Sequence, residues 1–146
     1  MRALYRLFTL ALLILPLTAC AGYVAIAPSA PQTIHVSMTD YSFQLTPATI
    51  SPGEVTFVVE NDSNMLMHQM VVVKTYLRPD ELPDAFPGKM IGEGSDVLTE
   101  VGAVGDLSPG KTGQLTVRLD PGHYVYLCDT PGHYMKGMYG DFTVAQ

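Results

Sequence analysis

From Thr33 to the end of the chain, apolar and polar residues alternate in short runs. Ile34-His35-Val36-Ser37-Met38 and Tyr41-Ser42-Phe43-Gln44-Leu45 each have the period of two expected of a half-buried strand. The same reading applies to Glu54–Glu60, His68–Thr75, Gln114–Leu119, His123–Cys128 and Tyr139–Val144. Turn signals separate these runs: Ser51-Pro52-Gly53, the polar loop Asn61-Asp62-Ser63-Asn64, Ser108-Pro109-Gly110 and Asp120-Pro121-Gly122. Short strands punctuated in this way predict an all-β sandwich or barrel. Residues Tyr76 to Asp106 break the pattern, with Pro79, Pro83, Pro87 and several glycines. They are read as a long irregular connection across one side of the sandwich, in which Pro79-Asp80-Glu81-Leu82 opens a short helical turn.

The first residues have a different pattern. Met1 to Arg6 is a short basic head, Leu7 to Leu15 is apolar apart from Thr9, and Pro16-Leu17-Thr18-Ala19 precedes Cys20. A basic head, a short apolar core and small residues before a cut site describe a secretory signal. The apolar run is shorter than the roughly 20 residues a spanning helix needs. Leu17-Thr18-Ala19-Cys20 resembles a bacterial lipobox, which implies cleavage before Cys20 and a lipid on its sulfur. The expected organisation is thus a signal over 1–19, a lipidated Cys20 with a small, proline-containing tether to residue 32, and one domain over 33–146. The protein is expected to be exported and membrane-anchored through lipid, on the periplasmic or extracellular face of a bacterial envelope.

Charge narrows the range of partners. The 146-residue chain carries 8 basic and 14 acidic residues, and loss of Arg2 and Arg6 with the signal moves the balance from −6 to −8. Such a surface has nothing to neutralise phosphates, which excludes a nucleic-acid partner. The chain has two cysteines. If Cys20 carries lipid, Cys128 is an unpaired thiol in an oxidising compartment, and ligation of a metal accounts for it.

The stretch Cys128-Asp129-Thr130-Pro131-Gly132-His133-Tyr134-Met135-Lys136-Gly137-Met138 places a thiolate, an imidazole and a thioether on one loop between two strands. Pro131-Gly132 favours a turn that swings His133 back towards Cys128, and Gly137 lets the chain bend before Met138. His68, at the mouth of a strand, is the candidate second imidazole. Soft sulfur ligands suit Cu(I), and imidazole also suits Cu(II). A His₂Cys set with a weak axial methionine is therefore a one-electron copper site, whereas zinc has no use for the thioether. Met135 is the rival axial ligand, only two residues from His133. Met138 is preferred because Gly137 permits the bend.

Cys128-x4-His133-x4-Met138, the upstream His68 and the Pro-Gly turns before the late strands resemble the cupredoxins, the blue-copper family. The resemblance spans about residues 33–146 and is greatest to carriers of the auracyanin and sulfocyanin type, within the plastocyanin and azurin group. It implies a Greek-key β-sandwich and one type 1 copper ion held by His68, Cys128, His133 and Met138. It also implies outer-sphere electron transfer between redox partner proteins by a monomer that is not an enzyme. The chain departs from the pattern at Gln69, where many members have an asparagine that helps pin the cysteine loop.

Other residues are given structural roles. His35 lies in a strand and His123 just after a turn. Met70 is read as packing, while Met65 and Met67 are expected to form an apolar docking patch with Pro131 and Tyr134. Copper oxidases place histidine beside the cysteine, but here its neighbours are Leu127 and Asp129. A copper delivery or storage protein of the envelope is the competing class, and the thiolate of Cys128 speaks against it.

Overall fold

The computed structural model describes residues 30–83 and 95–145. The signal, Cys20 and most of the tether lie outside these residues. Eight strands are present: β1 (Gln32–Thr39), β2 (Ser42–Thr46), β3 (Gly53–Asn61), β4 (His68–Lys74), β5 (Thr99–Leu107), β6 (Thr112–Leu119), β7 (Gly122–Leu127) and β8 (Tyr139–Val144). They form two four-stranded sheets, ordered β2-β1-β3-β6 and β5-β4-β7-β8. β1 and β3 are parallel, and every other pairing is antiparallel. The chain changes sheet between β3 and β4, β5 and β6, and β6 and β7, which is the crossed connectivity of a Greek-key sandwich.

The alternation read from the sequence is what closes the core. Ile34, Val36 and Met38 of β1 and Val55, Phe57 and Val59 of β3 point inward from the first sheet. They meet Met70, Val72, Tyr124, Phe142 and Val144 of the second sheet. Tyr124 stacks on Phe142 with ring centroids 5.3 Å apart. Cys128 and Met138 belong to this same cluster, so two of the candidate ligands lie at the edge of the main core.

The second sheet is buried on its other face as well. Val71, Val73, Val125 and Leu127 form a smaller cluster with Leu82 and Leu98 from the connection between β4 and β5, together with Tyr134. This explains the unbroken apolar run Met70–Val73: even positions face the main core and odd positions face the connection.

Two expectations for the connection are corrected. Thr99–Leu107 is a strand, not irregular chain, and pairs with β4. Its glycines disguised it. A Cβ on Gly102 would lie 2.7 Å from Leu115 Cδ1, so the glycine allows the edges of the two sheets to approach closely at β5 and β6. Arg78–Glu81 makes a simple turn, closed by Glu81 N–H donating to Arg78 O (3.1 Å), with Pro79 at its second position. The helical turn among the described residues is instead a 3-10 turn at Tyr134–Lys136. β1 begins at Gln32, one residue before the first expected strand position, and the Gln32 side chain accepts a hydrogen bond from Ser51 N–H (3.0 Å).

Candidate metal centre

All the candidate ligands are mounted on the second sheet. His68 is the first residue of β4, two positions before Met70, so strand alternation turns both inward, and the register shift between them leaves the extra residue on β5. Cys128 directly follows β7, and Met138 directly precedes β8. Residues 128–138 are therefore the loop of the β7–β8 hairpin. Backbone bonds seal its base: Cys128 N–H donates to Met138 O (3.0 Å), and Met138 N–H to His133 O (3.1 Å). Thr130 O accepts from His133 N–H (3.0 Å), so the Pro131-Gly132 turn does swing the imidazole back. Gly137, at φ 89°, closes the 3-10 turn in a left-handed conformation that glycine adopts without strain.

His68, Cys128 and His133 are brought together, with their ligating atoms within 4.8 Å of one another. The two Nδ1 atoms are 3.1 Å apart. Cys128 Sγ lies 3.4 Å from His133 Nδ1 and 3.9 Å from His68 Nδ1. Donors spaced in this way fit one small ion about 2 Å from each nitrogen. His68, Cys128 and Met138 are fully buried, and His133 is 8% exposed. Met135, the rival axial ligand, is 63% exposed on the far side of the 3-10 turn.

The histidines are electrostatically suited to ligation. Burial lowers the pKa of His68, the neighbouring His133 lowers it further, and Asp40 partly opposes both. Burial and then Lys136 lower that of His133. Both shifts favour the neutral imidazole, the form that offers a lone pair to a metal. His68 Nε2 is buried and has no hydrogen-bond partner among the described residues. Its Nδ1 is the nitrogen that faces His133 and Cys128.

Several residues that shape the site had no signal in the sequence. Asn61, fully buried, donates from Nδ2 to Leu66 O (2.8 Å) and Leu107 O (2.7 Å) and accepts from Ser63 N–H (3.0 Å). It folds the 61–67 loop that delivers His68. Tyr41, at φ 60°, presents its ring edge-on to His133 with centroids 5.1 Å apart. Lys136 Nζ donates to its hydroxyl (2.7 Å) and lies over its ring. The positive φ of Tyr41 belongs to the two-residue turn that joins β1 to β2.

Other expectations are settled by placement. His123 binds Thr75 O (2.9 Å) and Asp141 (3.0 Å), and His35 is exposed on β1, so neither joins the cluster. Met65 (86% exposed) and Met67 stand on the surface, and so does Pro131. Tyr134 does not belong to that patch, because its side chain is buried in the smaller cluster.

A Greek-key sandwich with a buried His₂Cys set at one end is the architecture of a copper protein of the cupredoxin class. Residues 31–145 match the model of the copper-binding proteins of the plastocyanin/azurin family, and the chain belongs to that family. A stretch of 39 residues is 49% identical to auracyanin-B of Chloroflexus aurantiacus. That stretch is 26% of this chain and 17% of that protein. Reduced auracyanin from Roseiflexus castenholzii is 25% identical, over 82% of this chain and 100% of its own, with a TM-score of 0.57. Auracyanin A of Chloroflexus aurantiacus, described as a blue copper protein, is 20% identical over 79% of this chain and 99% of its own, with a TM-score of 0.56. Rusticyanin from Thiobacillus ferrooxidans is 19% identical over 77% of each chain, with a TM-score of 0.55. The last two likenesses are likenesses of fold. Copper is the cofactor that the family and the donor set share, and blue-copper electron transfer is the chemistry consistent with both.

Proposed function

We propose that the protein is a monomeric carrier that passes single electrons between redox partner proteins, with His68, Cys128 and His133 as equatorial copper ligands and Met138 as the axial one. The observation that carries this reading is the convergence of two imidazoles and a thiol in a site where His133 alone of the four residues retains exposure. Copper bound there supplies a one-electron couple between Cu(I) and Cu(II). The protein's own contribution is to exclude water, to hold the donors in place and to leave His133 nearest the surface of the four. Met65, Met67, Met135 and Pro131 provide exposed apolar surface on the loops that carry His68 and His133, and this suits a short-lived partner contact. The export and lipid anchoring read at Cys20 place this exchange at the outer face of a membrane.

The competing role in copper delivery or storage draws on the exposed Met65 and Met67 beside His68. Burial of His68, Cys128 and Met138 opposes ready release. A deciding experiment is copper loading of the domain. An intense thiolate-to-copper charge-transfer band that disappears in Cys128→Ser, with rapid reversible reduction, is the expected result. A colourless complex would sink the carrier reading, and transfer of Cu(I) to an acceptor apoprotein would replace it with delivery. For the anchor, Cys20→Ala is expected to move the protein from the membrane fraction to the soluble one.

A further inference from the structure

The residue following His133 ties the metal loop to a distant part of the chain. The Tyr134 hydroxyl donates to Pro79 O (2.7 Å) and accepts from Leu82 N–H (3.1 Å). Its ring is buried with Leu82, Leu98, Val71 and Leu127, and packs on Tyr139 at 4.9 Å between centroids. The turn Tyr134–Lys136 is a rigid unit with the ligand beside it. His133 O accepts from both Lys136 N–H (3.0 Å) and Met138 N–H (3.1 Å), and Tyr134 O accepts from Gly137 N–H (2.9 Å). A shift of the Tyr134 ring therefore moves the backbone of His133 with it. The segment at the other end of the hydroxyl is itself held, since Glu81 N–H closes the turn on Arg78 O, and Leu77 N–H donates to Thr75 Oγ1 (3.1 Å).

We infer that Tyr134 is a positioning residue for the copper centre, whose hydroxyl couples the 79–82 segment to His133. Tyr134 touches no metal; it fixes the residue that does. A phenylalanine would fill the same space, so the hydroxyl contributes direction, not volume. Two hydrogen bonds to backbone groups of a separate element set the ring along its own plane, which packing alone leaves free to slide. By linkage, if closure of this latch favours metal binding, metal binding favours closure by the same factor. The 79–82 segment thus senses whether the site is loaded, and anything that displaces this segment weakens the site.

The inference rests on the copper set proposed above, and the two are separable by experiment. Cu(I) affinity is measured by competition with a chromogenic chelator for the wild-type domain, Tyr134→Phe and Leu98→Ala. Leu98→Ala loosens the same apolar cluster without removing either hydrogen bond. Amide exchange at Leu82 is followed with and without Cu(I). Loss of a group that orients a ligand typically weakens metal affinity by about 10- to 100-fold, and Tyr134→Phe is expected at the low end, about tenfold. Leu98→Ala is expected within about twofold of wild type. Loading slows Leu82 exchange in the wild type by about the same factor as the affinity loss, and this response vanishes in Tyr134→Phe. Unchanged affinity in Tyr134→Phe, an equal loss in Leu98→Ala, or Leu82 exchange indifferent to Cu(I) would each overturn the positioning role. Failure of the wild type to compete for Cu(I) would remove the copper set and the latch with it.

Discussion

The two sheets are built from the same number of strands but are buried differently. In the sheet β2-β1-β3-β6, each strand alternates, with one face in the core and the other towards solvent. It carries no ligand. In the sheet β5-β4-β7-β8, strands β4 and β7 are covered on both faces, by the main core and by the β4–β5 connection. His68 extends from β4, and Cys128, His133 and Met138 from the β7–β8 hairpin. A site that must keep its donors fixed while its charge changes belongs on the sheet clamped from both sides, because close-packed surroundings transmit and resist small displacements.

This comparison can be broken by a matched pair of truncations. Phe57→Ala, in the one-sided sheet, is expected to cost about 3–5 kcal/mol of stability by chemical denaturation and to leave the copper spectrum of the folded protein unchanged. Leu127→Ala, in the two-sided sheet beside Cys128, is expected to cost about 2–5 kcal/mol and also to weaken Cu(I) binding. If both variants bind copper alike, the packing of Leu127 beside Cys128 has no bearing on the site. Asn61→Ala comes next. It removes the side-chain partner of Leu107 O and Ser63 N–H and one of the two donors to Leu66 O, which keeps Ser63 Oγ, at a cost of about 1–3 kcal/mol, and loosens the loop that delivers His68. Faster loss of copper to a chelator is the expected signature, and unaltered release kinetics would assign Asn61 to stability alone. The smallest change in stability, within about 0.5 kcal/mol, is expected from replacing Met65 and Met67 together with glutamate, because both are exposed. The colour should persist while electron exchange with a partner slows, and unchanged exchange would discard the docking patch.

The first sheet was the more legible of the two from sequence, and for the same reason. Ile34-His35-Val36-Ser37-Met38 announces a one-faced strand, whereas β5 is an edge strand whose Gly102 serves close approach and so imitates a loop. The ligands were legible because Cys128, His133 and Met138 lie on one short loop and because copper chemistry restricts which side chains serve together. Their supports were not. Tyr134 reads as a surface residue because nothing local reveals that its hydroxyl reaches Pro79 and Leu82, 55 and 52 residues away. Asn61 looked like an ordinary turn residue, and Tyr41 like one more strand aromatic. Each acts through a backbone group or ring that only the folded chain brings near.

The direction of β1 has one more consequence. Its far end leads into Tyr41, which touches His133, so Gln32 begins the strand at the opposite pole of the sandwich. Eight extended residues at about 3.3 Å each put roughly 26 Å between the two. His133 therefore lies at the pole of the sandwich opposite the one where β1 begins. Under the anchoring proposed at Cys20, β1 would serve as a spacer, setting the copper site a strand's length away from the end at which the chain enters the domain.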